Sequence, residues 1–279
     1  MNQIQQSEKE KKLSNFIENF VGYDTYTSGL CHYVNNQNGE LREINSCNLP
    51  EKLHLNDVRV VAISDTHERH KLLSLPKGDV LLHCGDALML NSGYRRQVSI
   101  NKLHDFNRWL STTHFKERVF IAGNHDQIIE TLGKERTKKI LSHCHFLEHE
   151  HVTLDCGLTI FGTPCSIANT HRSANRAFQY SMKIVENIFK KVSPKIDILM
   201  THGPLHSLPP AQCFLKSNPT IPFSFCGHVH EEHGSTIYNG NHINVNASIM
   251  ANVKNKFSPS NPPIVLDIPF SKISLESSL

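Results

Sequence analysis

The chain has 279 residues, 38% of them hydrophobic and 20% charged, and a formal net charge of +3. Those figures describe a protein able to bury a core in one large or two small domains, and they exclude a disordered chain. With Lys and Arg scattered and the net charge small, they also argue against an extended nucleic-acid-binding surface.

Residues 1–13 read as a mobile polar leader with no apolar run that could act as a signal segment, and residues 14–50 are Asn-rich and weakly periodic. Together, residues 1–50 are expected to form a partly disordered N-terminal extension. A single domain is expected over residues 55–270, followed by a tail at 271–279. No stretch approaches the ~20 apolar residues needed to span a bilayer. The eight cysteines contain no Cys-x-x-Cys pair, which reads as reduced thiols in a soluble, cytoplasmic protein.

Within the domain, short apolar runs predict buried strands at Val58–Ile63, Val80–Leu82, Val119–Ala122, Ile196–Met200 and Phe223–Cys226. Helical spacing predicts crossover helices over Tyr94–Leu110 and Arg172–Val192. Further strands are expected at Val152–Leu154, Leu158–Phe161, Ser235–Tyr238, His242–Val245 and Ile264–Ile268, joined by turns. The pattern is α/β: two sheets face to face with helices outside.

Each of the first five runs leads into a polar phrase: Ser64-Asp65-Thr66-His67, Cys84-Gly85-Asp86, Gly123-Asn124-His125-Asp126, Thr201-His202-Gly203 and Gly227-His228-Val229-His230. In open α/β sheets the crevice beyond the carboxyl ends of the strands is where ligands bind, so these phrases converge by topology. In extended backbone, residues two apart point the same way, which would let Asp65 with His67, and His228 with His230, each present two ligand atoms to one cavity. Asp86 is the expected bridge, since a carboxylate can serve two cations. Imidazole, carboxylate and amide oxygen without thiolate suit two divalent transition-metal ions, Mn, Fe or Zn, with Mn the expected choice in vitro. Two such ions about 3.5–4 Å apart can hold a bridging hydroxide near neutral pH, which would attack phosphorus in line. His125 is then the expected general acid, with Asp126 holding its ring.

These phrases resemble the calcineurin-like metallophosphoesterase superfamily, and within it the metallophosphoesterase-domain-containing (MPPED) proteins, whose phrases are also echoed by Thr201-His202-Gly203-Pro204 and Asn246-Ala247-Ser248. The resemblance covers roughly residues 57–269. It implies a four-layer αββα sandwich. It also implies a metal-dependent phosphodiesterase acting on cyclic nucleotides or other small phosphodiesters. Carried over by position, it puts Asp65, His67 and His230 on one ion, Asn124, His202 and His228 on the other, and Asp86 on both. One departure is Gly162–Ser166 and the stretch beyond it, where the relatives carry Trp-rich sequence and this chain has only Trp109.

The competing readings are a slow or non-catalytic metal- and nucleotide-binding scaffold, and a nuclease or phosphoprotein phosphatase on the same core. The intact ligand set disfavours the first, and the modest charge disfavours a nuclease. No membrane or protein partner is implied. Four further features carry less weight. His83 reads as a buried, hydrogen-bonded histidine, the run His143–His151 as solvated surface, Tyr94-Arg95-Arg96 as the charged start of a helix, and His206 has no assigned role.

Overall fold

The computed structural model describes residues 29–89, 96–166, 174–253 and 256–272. The leader at 1–13, Tyr94 and Arg95, and the tail from residue 273 lie outside the described residues, as do Arg172 and the residues directly after Ser166.

Two mixed sheets form the centre. The first contains β1 (Leu30–Val34), β2 (Leu41–Asn45), β3 (Val58–Ile63), β4 (Val80–His83), β5 (Glu117–Phe120), β6 (His145–Phe146) and β15 (Ile264–Ile268), in the order β2-β1-β15-β3-β4-β5-β6. The second contains β7 (Glu150–Thr153), β8 (Thr159–Thr163), β9 (Ile198–Thr201), β10 (Phe223–Cys226), β11 (Gly234–Tyr238) and β12 (His242–Asn246), in the order β11-β12-β10-β9-β8-β7. A separate hairpin pairs β13 (Met250–Val253) with β14 (Lys256–Pro259). β3 to β6 run parallel in the first sheet, and β8, β9, β10 and β12 run parallel in the second. β1 and β2 arise from residues assigned above to the N-terminal extension, so the first sheet begins well before residue 55.

Strand alternation explains the layering. Along β3, Val60 and Ala62 enter a core between the two sheets with Ile160, Met200, Phe225 and Val245. Val61 and Ile63 enter a second core on the opposite face, with Phe106, Trp109 and Leu110 of α1 (Arg96–Thr112) and Ile128 and Ile129 of α2 (Gln127–Leu132). A third core packs Phe161 and Leu199 of the second sheet against Val185 and Phe189 of α4 (Met182–Phe189) and Ala211 and Leu215 of α5 (Pro209–Ser217). The order is helix, sheet, sheet, helix, as the two-sheet reading anticipated. Strands buried on both faces read as mostly apolar runs, which is why β3, β10 and β15 are legible in the sequence despite Arg59, Ser224 and Asp267.

The helices differ more from expectation. α1 buries Leu103, Phe106, Trp109 and Leu110, but Val98 points outward. The helix expected over Arg172–Val192 is only α4, because Phe178 adopts φ 56, a left-handed conformation that stops a helix of L-residues. α3 (Lys134–Ile140) is set off from α2 by Gly133 at φ 75.

Beneath α1 lies His70, 2% exposed, its ring against Phe106 and Trp109, and among the described residues neither nitrogen is hydrogen-bonded. Burial lowers its pKa from 6.5 to about 4, although Asp105, 3.7 Å away, pulls the other way. The ring is neutral in the fold and takes up a proton on unfolding. Its contribution to stability is therefore complete above about pH 6.5 and is lost as the pH falls towards 4, amounting to about 2 kcal/mol at pH 5. Melting curves of His70→Leu should accordingly lose less stability between pH 7 and pH 5 than those of the wild type. Equal slopes would show that His70 is not the group that senses acid.

Candidate metal centre

The five polar phrases lie at or just beyond the ends of parallel strands: after β3 and β4 and, past Ile121 and Ala122, after β5 in the first sheet, and at the end of β9 and after β10 in the second. Backbone bonds stitch the loops together. Asp65 N–H donates to the Gly85 carbonyl at 2.9 Å, His67 N–H to that of Asp86 at 3.0 Å and Gly227 N–H to that of His202 at 3.0 Å, while Ile249 N–H ties Ser64 across to the β12 side at 2.9 Å.

The backbone in these loops is not extended, which corrects the same-side argument for the Asp-x-His and His-x-His pairs. Asp65, His67, Asp86 and His228 have φ values of 54, 43, 53 and 71. Asp and His are among the residue types that best tolerate this left-handed region. The ligands thus converge through tight left-handed turns, a concentration of strained backbone of the kind found at functional sites.

The side chains fall into overlapping groups whose potential ligand atoms lie within 4.8 Å of one another: Asp65, His67 and His230; His67, Asp86 and His125; and Asp86, His202 and His228. In the first, His67 Nε2 and His230 Nε2 face each other at 3.4 Å, and Asp65 Oδ1 lies 3.4 Å from His230 Nε2. Around the third, Asn124 Oδ1 lies 3.0 Å from His202 Nε2 and 2.9 Å from His228 Nδ1, and Asp86 Oδ2 lies 3.3 Å from His202 Nε2. All seven residues singled out in the sequence meet in one crevice. Asp65, His67, Asp86, Asn124 and His202 are buried, and His228, His230 and His125 form its half-exposed rim.

The remaining polar atoms of these residues are held by the protein. His202 Nδ1 donates to the Cys84 carbonyl at 2.8 Å and His67 Nδ1 to the Leu88 carbonyl at 3.3 Å, which leaves each Nε2 directed inward. Asp65 Oδ2 accepts from His228 N–H at 2.9 Å and from the Ser248 hydroxyl at 2.8 Å. Asn246 accepts from Ser248 N–H and donates to the Gly227 and Val229 carbonyls. Residues fixed from behind in this way are the usual support of metal ligands.

Do these residues fit divalent cations? Among the described residues, buried Asp65 Oδ1 has no well-formed hydrogen bond and meets only His230 Nε2, at 3.4 Å, a costly state for a carboxylate unless a cation meets it. The potential is strongly negative. Burial alone would lower the His202 pKa, but Asp86, with its hydrogen bond, and Asp65 lift it to about 9. Burial likewise opposes ionisation of Asp65 and Asp86, yet the surrounding imidazoles hold both below the usual carboxylate range. No thiolate competes: burial raises the Cys84 and Cys226 thiols, which sit just beneath the loops. Oxygen and imidazole donors around buried carboxylates fit two divalent ions.

Residues 58–232 match the family model described as calcineurin-like phosphoesterase. The chain belongs to that family. A UPF0046 protein of Caenorhabditis elegans is 30% identical over 77% of this chain and 82% of its own length. A second UPF0046 protein of that organism is 32% identical over 78% and 77%. Human metallophosphoesterase domain-containing protein 1 is 27% identical over 76% of this chain and 71% of its own length. The solved structure of TT1561 of Thermus thermophilus superposes with a TM-score of 0.51 at 12% identity, covering 68% of this chain and 88% of that one, which speaks to the fold alone.

In this phosphoesterase His125 sits at the mouth of the site. Its backbone N–H donates to Asp86 Oδ1 at 2.8 Å, its Nε2 lies 4.0 Å from Asp86 Oδ2, and its ring meets His67 edge-on at 4.6 Å. Asp126 does not hold that ring, contrary to expectation. Its carboxylate turns inward and accepts the backbone N–H groups of Gly123 at 2.8 Å and Leu88 at 2.9 Å, bracing one ligand loop against the next. Burial, followed by the charge of Asp86, raises its pKa to about 7. The side chain hydrogen-bonded to the His125 ring is Asn175, whose Nδ2 lies 2.8 Å from Nε2. No local pattern marked Asn175, because it arrives from a segment 50 residues away.

The remaining candidates sort by burial. His83 is buried, with Nε2 3.0 Å from the Thr66 hydroxyl and Nδ1 accepting Gly85 N–H, the structural role expected of it. His143, His145 and His151 are exposed. His149 is the exception in that run: half-buried, its ring contacts the Thr163 hydroxyl at 2.8 Å and the Tyr180 hydroxyl at 3.3 Å. Arg96 is exposed at the start of α1, and His206 is exposed 3.6 Å from Glu232.

Close packing makes the centre intolerant of added atoms. A Cβ at Gly227 would collide with the Ser64 hydroxyl and Asp65 Oδ2. Gly227→Ala should push Asp65 off its Ser248 contact and cost about 1–3 kcal/mol of stability. Calorimetric melting and metal analysis of that variant check this, and wild-type values in both would refute it.

Proposed function

We propose that this chain is a binuclear metal-dependent phosphodiesterase that hydrolyses cyclic nucleotides or other small phosphodiesters. The observation that carries the reading is Asp86: one buried carboxylate belongs both to the group around His67 and to the group around His202 and His228, with His125 beside it. Asp65, His67 and His230 would hold one ion, Asn124, His202 and His228 the other, and Asp86 both. When bound, such a pair activates water at neutral pH and offsets charge developing on phosphate oxygens.

The protein's own groups supply the rest. The Cys84 and Leu88 carbonyls accept from Nδ1 of His202 and His67, so that each Nε2 faces the site, and Asn124 presents its amide oxygen between two imidazoles. The half-exposed rim admits substrate on the side where His125 stands, placing Nε2 to protonate the departing oxygen. A diester with an alkoxide leaving group needs that proton. Mn, Fe and Zn all suit the donors, with Mn favoured in vitro. A cytoplasmic setting agrees with eight free cysteines, and among the described residues no helix is long and apolar enough to cross a membrane.

The test is a substrate panel with the Mn²⁺-loaded chain: bis(p-nitrophenyl) phosphate, p-nitrophenyl phosphate, and 2′,3′- and 3′,5′-cyclic AMP. Faster turnover of diesters than of the monoester supports the reading, and preference for a cyclic nucleotide refines it. A chain that holds both ions and turns over none of them is a binding protein.

A further inference from the structure

We propose that Asn175 is a positioning residue for His125, holding the imidazole in the orientation from which it serves the leaving group. This rests on the hydrolase reading above. Among the described residues the His125 ring makes one hydrogen bond, to the Asn175 amide at 2.8 Å, while its Nδ1 is buried without a partner. The neighbouring Asp126 is committed to backbone N–H groups and cannot do this work.

The segment carrying Asn175 is anchored independently of that amide. The Asn175 carbonyl accepts from Asn124 Nδ2 at 3.4 Å, Ala177 N–H donates to the Asn124 carbonyl at 3.3 Å, and Phe178 N–H donates to Glu130 Oε1 at 2.7 Å. Two of these bonds grip Asn124, a candidate ligand, and a third grips α2, so the segment and the loop bearing His125 form one braced unit. An amide also suits the task chemically. As placed, Nδ2 donates to an unprotonated Nε2, the state the ring reaches once its proton has passed to the leaving group. With Nε2 protonated, a half-turn of the amide presents Oδ1 to that N–H instead, so the uncharged side chain can hold the ring in either state, by a different atom in each.

Replacing the side chain leaves the backbone anchors in place, so metal loading and folding should not change. The experiment compares Asn175→Ala, Asn175→Leu, His125→Ala and the double variant Asn175→Ala/His125→Ala in the Mn²⁺-loaded full chain. The substrates are bis(p-nitrophenyl) phosphate and diphenyl phosphate, with metal content and melting temperature measured alongside. Both Asn175 variants should keep wild-type metal content and lose ~10- to 100-fold in kcat on diphenyl phosphate, with little change in KM. The loss should be small on the nitrophenyl ester, and the double variant no slower than His125→Ala. Asn175→Leu fills the volume without a polar atom, so wild-type turnover there would show that only packing matters and overturn the proposal. Loss of metal in either Asn175 variant, or losses that multiply in the double variant, would overturn it too. If His125→Ala shows the leaving-group dependence and the Asn175 variants do not, the positioning role fails while the hydrolase reading stands. If His125→Ala itself shows none, the general-acid assignment fails and the proposal with it.

Discussion

Asp86→Ala should abolish metal-dependent hydrolysis outright. Asp86 is buried, its Oδ2 faces His202 at 3.3 Å, and its Oδ1 receives His125 N–H at 2.8 Å. On the proposed reading, removing the carboxylate would take a donor from both ion positions at once, delete the charge that offsets repulsion between the cations, and free the loop that carries Asn124 and His125. Losing the ligand to one ion leaves a mononuclear site, whereas losing the shared one leaves neither. A fall of at least ~10⁴-fold is expected, near the level at which general-acid and positioning effects alone remain. Turnover by the purified variant on bis(p-nitrophenyl) phosphate, with metal analysis of the same sample, decides it. Retention of two ions and of activity would mean that Asp86 does not bridge.

The His125→Ala substitution should have the opposite profile: metals kept, chemistry impaired. His125 stands beside the ligand groups and donates only its backbone N–H to Asp86, a bond that the substitution preserves. The loss should reach ~10²- to 10⁴-fold for a poor leaving group such as phenolate and shrink for p-nitrophenolate, which departs with little protonation. An equal loss on both esters would reassign His125 to holding a phosphate oxygen.

How the sequence announced this site is explained by how the strands are buried. β3, β10 and β15 match their expected ranges residue for residue: β3 and β15 send residues into two cores, β10 sends Phe223 and Phe225 into the core between the sheets, and each strand is apolar but for one residue, Arg59, Ser224 and Asp267 in turn. All seven candidate ligands meet in the crevice because each phrase lies at or just beyond the end of a buried parallel strand. What escaped was set by contacts distant in sequence or by backbone rather than side chains. β1 and β2 are only partly buried: β2 is largely polar and contains no fully buried residue, and β1 buries only Cys31 and Val34. α5 opens on Pro209 and Pro210, which suit the first turn of a helix but read as a break in sequence. The left-handed turns at Asp65, His67, Asp86 and His228 have no side-chain signature, since Asp and His also occupy extended backbone. Asp126 was paired with His125 by adjacency alone, whereas the turn after β5 sends the two side chains in different directions. In the Asn246-Ala247-Ser248 phrase the structure supplies the reason for a motif: Ser248 holds the back oxygen of Asp65, and Asn246 holds both Ser248 and the Gly227–Val229 loop.

The central claim, that these residues form a paired-ion hydrolytic centre, meets its most direct test in a titration. Full-length protein stripped with chelator is titrated with Mn²⁺ while bound metal per chain and hydrolysis of bis(p-nitrophenyl) phosphate are followed together. Activity that rises only as the second ion binds, and levels off at two per chain, is the predicted result. Hydrolysis that survives chelation, or is complete with one ion bound, would contradict it.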